Sequence, residues 1–202
     1  MHHDRLFSIA ALSGMISLLA ASCASDSRAS DEDRDAATRD VEESSSELRC
    51  VADVIEPDLD IGPMGGSAVD EETGLYKLKE GQEVVVSSTY GIPKRAAAGG
   101  GLPPGYQDLM GRIIQQLQGQ PGLLALQLGN SPSCNSGRTL AVWESEELMY
   151  KFVMSAPHLE AMSTANELLK PGYAVTHWTA RKQGDISLEA ARDHLGDKLD
   201  RK

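Results

Sequence analysis

Hydrophobic and polar positions fall into three regimes along the chain: an apolar and small-residue run over 6–21, a polar stretch over 24–48, and periodic apolar positions from residue 83 onward. Residues 83–90 read Glu-Val-Val-Val-Ser-Ser-Thr-Tyr, rich in β-branched side chains, and Gly91 and Pro93 follow, so a strand is predicted. Over 106–118, Tyr106, Leu109, Met110, Ile113, Ile114 and Leu117 recur at steps of three and four, which places them on one face of a helix ended by Gly119 and Pro121. The apolar run within 122–128 predicts a second strand, 131–137 a turn around Pro132, and 138–143 a third strand. Ser145 followed by Glu146 and Glu147 suits the start of a helix carrying Leu148, Met149, Phe152 and Val153. Pro157 is expected to interrupt that helix, a second piece running over 158–169 until Pro171 and Gly172 stop it, and 173–179 is the last strand.

Strand, helix, strand, strand, broken helix, strand is the split βαβ order, so the fold class is α+β, a ferredoxin-like sandwich over 83–181. Residues 49–82, punctuated by Pro57, Pro63, Gly65 and Gly66, read as an irregular lead-in with a short hairpin around Gly74. Residues 182–202 read as a C-terminal helical tail, capped by Asp185 or Ser187, with Ile186, Ala190, Leu195 and Leu199 as its thin apolar stripe.

Composition adds an address. The 202 residues carry a net charge of −11, which argues against a sequence-independent grip on nucleic acid, since phosphate binding needs clustered Lys and Arg. Much of the acidity lies in 23–48, a segment too poor in large apolar residues to offset its ordering entropy and therefore expected to be a disordered acidic tether. Residues 1–22 read as a signal peptide: Arg5 leads into an apolar run shorter than the roughly 18 residues of a membrane-spanning helix. Ala20-Ala21-Ser22-Cys23 resembles the lipid-attachment box of bacterial lipoproteins, which implies an acylated Cys23 and a mature protein anchored to the bacterial membrane, facing periplasm or cell surface. An ordinary secretory signal with an incidental cysteine is the alternative. Cys50 and Cys134 remain, either as a disulfide suited to an oxidising compartment or as two unpaired thiols.

The stretch from Thr139 through Trp143, Glu146, Glu147 and Phe152, then Ser155-Ala-Pro-His158 and Met162, resembles the antibiotic biosynthesis monooxygenase-like family. The resemblance covers roughly 83–181. It implies a homodimeric α+β barrel, in which two ferredoxin-like sheets close on each other, with an apolar cavity between each sheet and its helices. It also implies cofactor-independent oxygen chemistry, in which a deprotonated phenolic substrate hands electrons to dioxygen and the protein supplies a dry pocket, a base and a few donors. Haem-degrading members of the family place a Trp in the second helix and a His ten residues later; here Phe152 and Met162 stand at those positions, so haem is not expected.

His158, after Pro157 at the start of a helical piece, is the first candidate base, with capping or packing as its structural alternative. His177 is the second. It adjoins Trp178 in the last strand, where alternation lets only one of the two face the helices. Trp143, Phe152, Trp178, Tyr90, Asn130 and Arg138 are candidates for binding a small apolar or aromatic ligand, as donors, an anion clamp or aromatic walls. No metal site is expected, because His158, His177 and His194 lack close ligand spacing. The glycine run over 99–105 lacks the Gly-Lys-Ser/Thr of a phosphate loop, and neither a Gly-x-Ser-x-Gly elbow nor a dinucleotide fingerprint occurs. Two functions follow: oxidation of a small phenolic compound, or a non-catalytic lipoprotein that uses the fold for ligand binding or dimerisation.

Overall fold

The structure is a computed structural model that describes residues 49–95 and 101–199, without the side chains of 197–199. The expected signal peptide, Cys23 and the acidic tether lie outside the described residues.

Five antiparallel strands form the sheet: β1 (Asp60–Ile61), β2 (Val84–Gly91), β3 (Leu123–Ser131), β4 (Ser136–Trp143) and β5 (Ala174–Ala180), in the spatial order β1-β3-β4-β2-β5. The four long strands stand in the order of the ferredoxin-like fold, and β1 adds two residues outside β3. Strict alternation governs β2 and β5: Val84, Val86, Ser88 and Tyr90 are buried on one face together with Ala174, Thr176, Trp178 and Ala180. Val85, Ser87, Thr89, Val175, His177 and Thr179 point to the other face, as a period of two requires. A bulge between Leu123 and Ala125 lets β3 keep Leu123 with Trp143 on one side and Ala125 with Val142 on the other.

The helices α1 (Tyr106–Gln118), α2 (Glu146–Val153) and α3 (Ala156–Leu168) belong to the face that carries Trp143. The Ser145 hydroxyl accepts from the Leu148 amide at 3.3 Å, capping α2. Pro157 does not interrupt a helix: it stands in the first turn of α3, where its missing N–H costs nothing, and the break falls at Met154–Ser155. The tail forms α4 (Leu188–Leu199), with the Ser187 hydroxyl accepting from the Ala190 amide at 3.1 Å. Among its described side chains Leu188, Ala191 and Leu195 are buried and Ala190 packs partly buried against the core, so Leu195 and Ala190 of the expected stripe face inward and Leu188 and Ala191 join them.

The opposite face of the sheet is covered by the chain's own lead-in and by α4. Met64, Tyr76, Ile186, Leu188 and Ala191 pack with Val84, Val86, Leu140, Val142 and Trp178 in the largest core cluster. Gly66 lies so close to β3 that a Cβ there would collide with the Leu124 carbonyl oxygen, and its φ of 151° lies where L side chains rarely go. Asp58 accepts from the Ser131 hydroxyl at 2.6 Å and the Ser133 amide at 2.8 Å, and Cys50 is joined to Cys134 with Cα atoms 5.5 Å apart. The face opposite the helices is thus covered from within the chain, while Val175, His177 and Thr179 of β5 stay exposed on the helix side.

Candidate functional site

The face beneath α1, α2 and α3 holds a run of aromatic rings. Trp143 stacks on Phe152 with centroids 5.4 Å apart, and Phe152 meets the His158 ring edge-on at 4.7 Å. Leu123, Ala141, Met149, Val85, Ile113 and Leu117 fill the layer around them. Trp143 Nε1 donates to the Ser87 hydroxyl oxygen at 2.9 Å, so its indole N–H is spent inside the protein. Thr89 and Thr139 bond through their hydroxyls at 2.8 Å on the same face.

His158 is half-buried in the first turn of α3, and its Nδ1 lies 3.1 Å from the Val153 carbonyl oxygen. A carbonyl only accepts, so Nδ1 carries the proton and Nε2 of the neutral ring keeps its lone pair. Burial pushes the His158 pKa below its ordinary 6.5, against the smaller opposing pull of the Val153 carbonyl. The result is a neutral acceptor beside an aromatic stack.

His177 lies on the same face, directly across from Ser87 in the β2–β5 register. Its Nε2 stands 3.4 Å from Glu146 Oε1, its side chain is 38% exposed, and its ring meets Tyr150 edge-on at 5.9 Å. It therefore sits on the open side of the layer. Of the neighbours His177 and Trp178, the histidine faces the helices.

The other candidates do not join this group. Arg138 and Glu56 are an ion pair at 2.9 Å with side chains 2% and 0% exposed, on the face covered by the lead-in. The guanidinium also donates to the carbonyls of Val51, Ala52 and Val54, and it stacks 4.5 Å above the Tyr90 ring. Arg138 is thus no anion clamp for a ligand; its donors are taken up by the chain. Tyr90 is buried beneath it, and its hydroxyl finds no hydrogen-bond partner among the described residues. Burial, and then the Glu56 carboxylate, push the Tyr90 pKa up to about 12. Trp178 Nε1 donates to the Asp185 carbonyl at 3.0 Å and its ring stacks on His194 at 4.5 Å, again on the covered face. Asn130 is exposed near the end of β3, opposite Asp60 and Gly137.

Two participants were not picked out from the sequence. Ser87 carries a signal of a kind, a small polar residue at the centre of a Val-rich strand. The Val153 carbonyl carries none, since main-chain groups look alike in any sequence. Among the described residues, no three His, Cys, Asp or Glu side chains converge on a point that could hold a metal ion, and no helix is long and apolar enough to cross a membrane.

No family model matches the chain, and no curated protein matches it. Solved structures do resemble it. Protein Rv0793 of Mycobacterium tuberculosis is 18% identical, with 47% of this chain and 92% of that one covered and a TM-score of 0.40. SnoaB of Streptomyces nogalater, described as a cofactor-independent oxygenase, is 18% identical over 50% of this chain and 95% of its own, with a TM-score of 0.38. Protein SO0527 of Shewanella oneidensis is 12% identical over 50% and 95%, with a TM-score of 0.41. Strand order and the placement of the helices make this domain an α+β structure of the ferredoxin-like fold.

Proposed function

We propose that the domain acts on a small phenolic compound bound beside His158, with His158 as the base that takes the phenol proton. The observation that carries this reading is the Nδ1 contact to the Val153 carbonyl, which leaves Nε2 bare on a ring kept neutral by its burial. A neutral imidazole in a partly dry layer accepts a phenolic proton, and the resulting phenolate is electron-rich enough to reduce dioxygen without a resident cofactor. His177, beside Glu146 and Tyr150 on the open side, is the second polar group that such a ligand would meet on entry.

A second reading, binding without chemistry, is favoured by the loss of donors. Tyr90, Arg138 and Trp178 belong to the other face and the Trp143 indole is engaged by Ser87, which leaves few groups to stabilise a developing anion. Oxygen uptake with quinol- and anthrone-type phenols separates the two readings. The oxygenase reading expects turnover in the parent that is lost in His158→Ala; ligand binding with no uptake by the parent leaves the binding reading.

The same proposal includes the address: an exported protein carried on an acylated Cys23. The disulfide between Cys50 and Cys134 supports an oxidising compartment. Intact-mass analysis of protein from a bacterial membrane fraction tests it, the expected species being a chain that begins at a lipid-modified Cys23; a free thiol there refutes the anchor.

A further inference from the structure

The lead-in is fastened unevenly along its length. From residue 55 onward it is pinned by Ile55, Leu59 and Met64 in the main core cluster, by the Glu56 carboxylate on Arg138, and by Asp58 on Ser131 and Ser133. Before that point, among the described residues, Cys50 and Ala52 pack in the small cluster formed with Tyr90, Ile92, Ala174 and Leu195. Both are small side chains that bury little apolar area. The remaining attachments there are polar ones that bury no apolar area, the carbonyl oxygens of Val51, Ala52 and Val54 on the Arg138 guanidinium. Beneath this end lies the Tyr90 hydroxyl, without a hydrogen-bond partner among the described residues, which regains one if the segment lifts. The covalent bond from Cys50 to Cys134 sits at this end, which packs fewer apolar side chains than the rest of the lead-in.

We propose that the Cys50–Cys134 bond is a redox-sensitive latch: its reduction by a dithiol frees residues 50–55 from the sheet while the rest of the cover stays in place. A dithiol thiolate attacks one sulfur and forms a mixed disulfide, releasing the other cysteine as a thiol. Its second thiol then displaces the remaining cysteine, so that two electrons pass to the protein and the reagent leaves as a cyclic disulfide. Release uncovers Tyr90, Ile92, Ala174 and Leu195 at one end of the sheet, on the face opposite His158. The latch is therefore independent of the phenol reading.

Limited thermolysin digestion of the full chain, with and without a dithiol, tests the latch. Fragments are mapped by mass after both samples have been denatured and reduced. Cleavage within 51–55 is expected to accelerate by more than about tenfold on reduction, a change of about 1.4 kcal/mol in local opening, with no cuts inside β2 or β4. The Cys50→Ser, Cys134→Ser double variant is expected to match the reduced sample without any dithiol. An unchanged rate within 51–55 overturns the latch, and so does simultaneous cleavage within β2 and β4, which would make the bond a support of the whole fold.

Discussion

Replacing Arg138 by methionine removes the partner of a carboxylate that has no access to water. Glu56 is 0% exposed at its side chain, and what remains to it is the Ser136 hydroxyl, which donates at 2.5 Å. Stripping one partner from a buried ion pair costs roughly 3–5 kcal/mol, because the other charge stays desolvated and unpaired. Against a total stability of about 5–15 kcal/mol for a domain, that is a large fraction. Arg138→Met also strands the carbonyls of Val51, Ala52 and Val54, a loss that Glu56→Leu combined with Arg138→Met shares. The double-mutant cycle therefore isolates the unpaired carboxylate. Urea unfolding of the disulfide-intact protein is expected to give a double variant more stable than Arg138→Met alone, with a coupling above about 2 kcal/mol. A coupling below about 0.5 kcal/mol refutes the reasoning, since it would mean that Glu56 reaches water or a proton when Arg138 is gone.

Tyr90→Phe removes a buried hydroxyl that has no partner among the described residues, so stability is expected to hold or to rise by about 1 kcal/mol in the same assay, where a buried tyrosine normally loses. Because the folded Tyr90 pKa lies near 12, above its ordinary 10.0, its contribution is intact below pH 10 and is lost as pH rises toward 12; Tyr90→Phe flattens that alkaline slope in thermal melts. His158 has the opposite sign: its folded pKa is depressed, so its share of stability is present above pH 6.5 and is lost as pH falls through the folded value, and His158→Gln weakens that acid dependence. Gly122→Ala places a Cβ against Leu148 at a φ of 79°, and it is expected to lower stability by about 1–3 kcal/mol in urea unfolding.

The sheet was legible because its strands are written in local chemistry: the Val-rich run of β2 and the steps of three and four in α1 depend on neighbours alone. Pro157 misled because one residue type both stops a helix and starts one, and only the position of Ser155 decides which. The cover of the second face left little trace, since it is made of single contacts across long separations. Glu56 and Arg138 are 82 residues apart, and Glu56 lies in no periodic run. Arg138 read as a candidate clamp at a strand end because arginine is buried almost only when paired, and its partner stood in an irregular segment. Alternation showed that His177 and Trp178 face opposite ways, yet which of them meets the helices depends on the side to which α1 crosses, a tertiary fact. His158 was singled out by residue type, while the carbonyl that sets its tautomer could not be.

Nitrogen-15 spectra of the His158 imidazole, followed through a pH titration with and without a phenolic compound, test the proposed site most directly. The structure predicts a protonated Nδ1, a bare Nε2 and a midpoint below 6.5, and the proposed function adds an Nε2 signal that shifts when the phenol binds. A proton on Nε2, or a midpoint at or above 6.5, would contradict it.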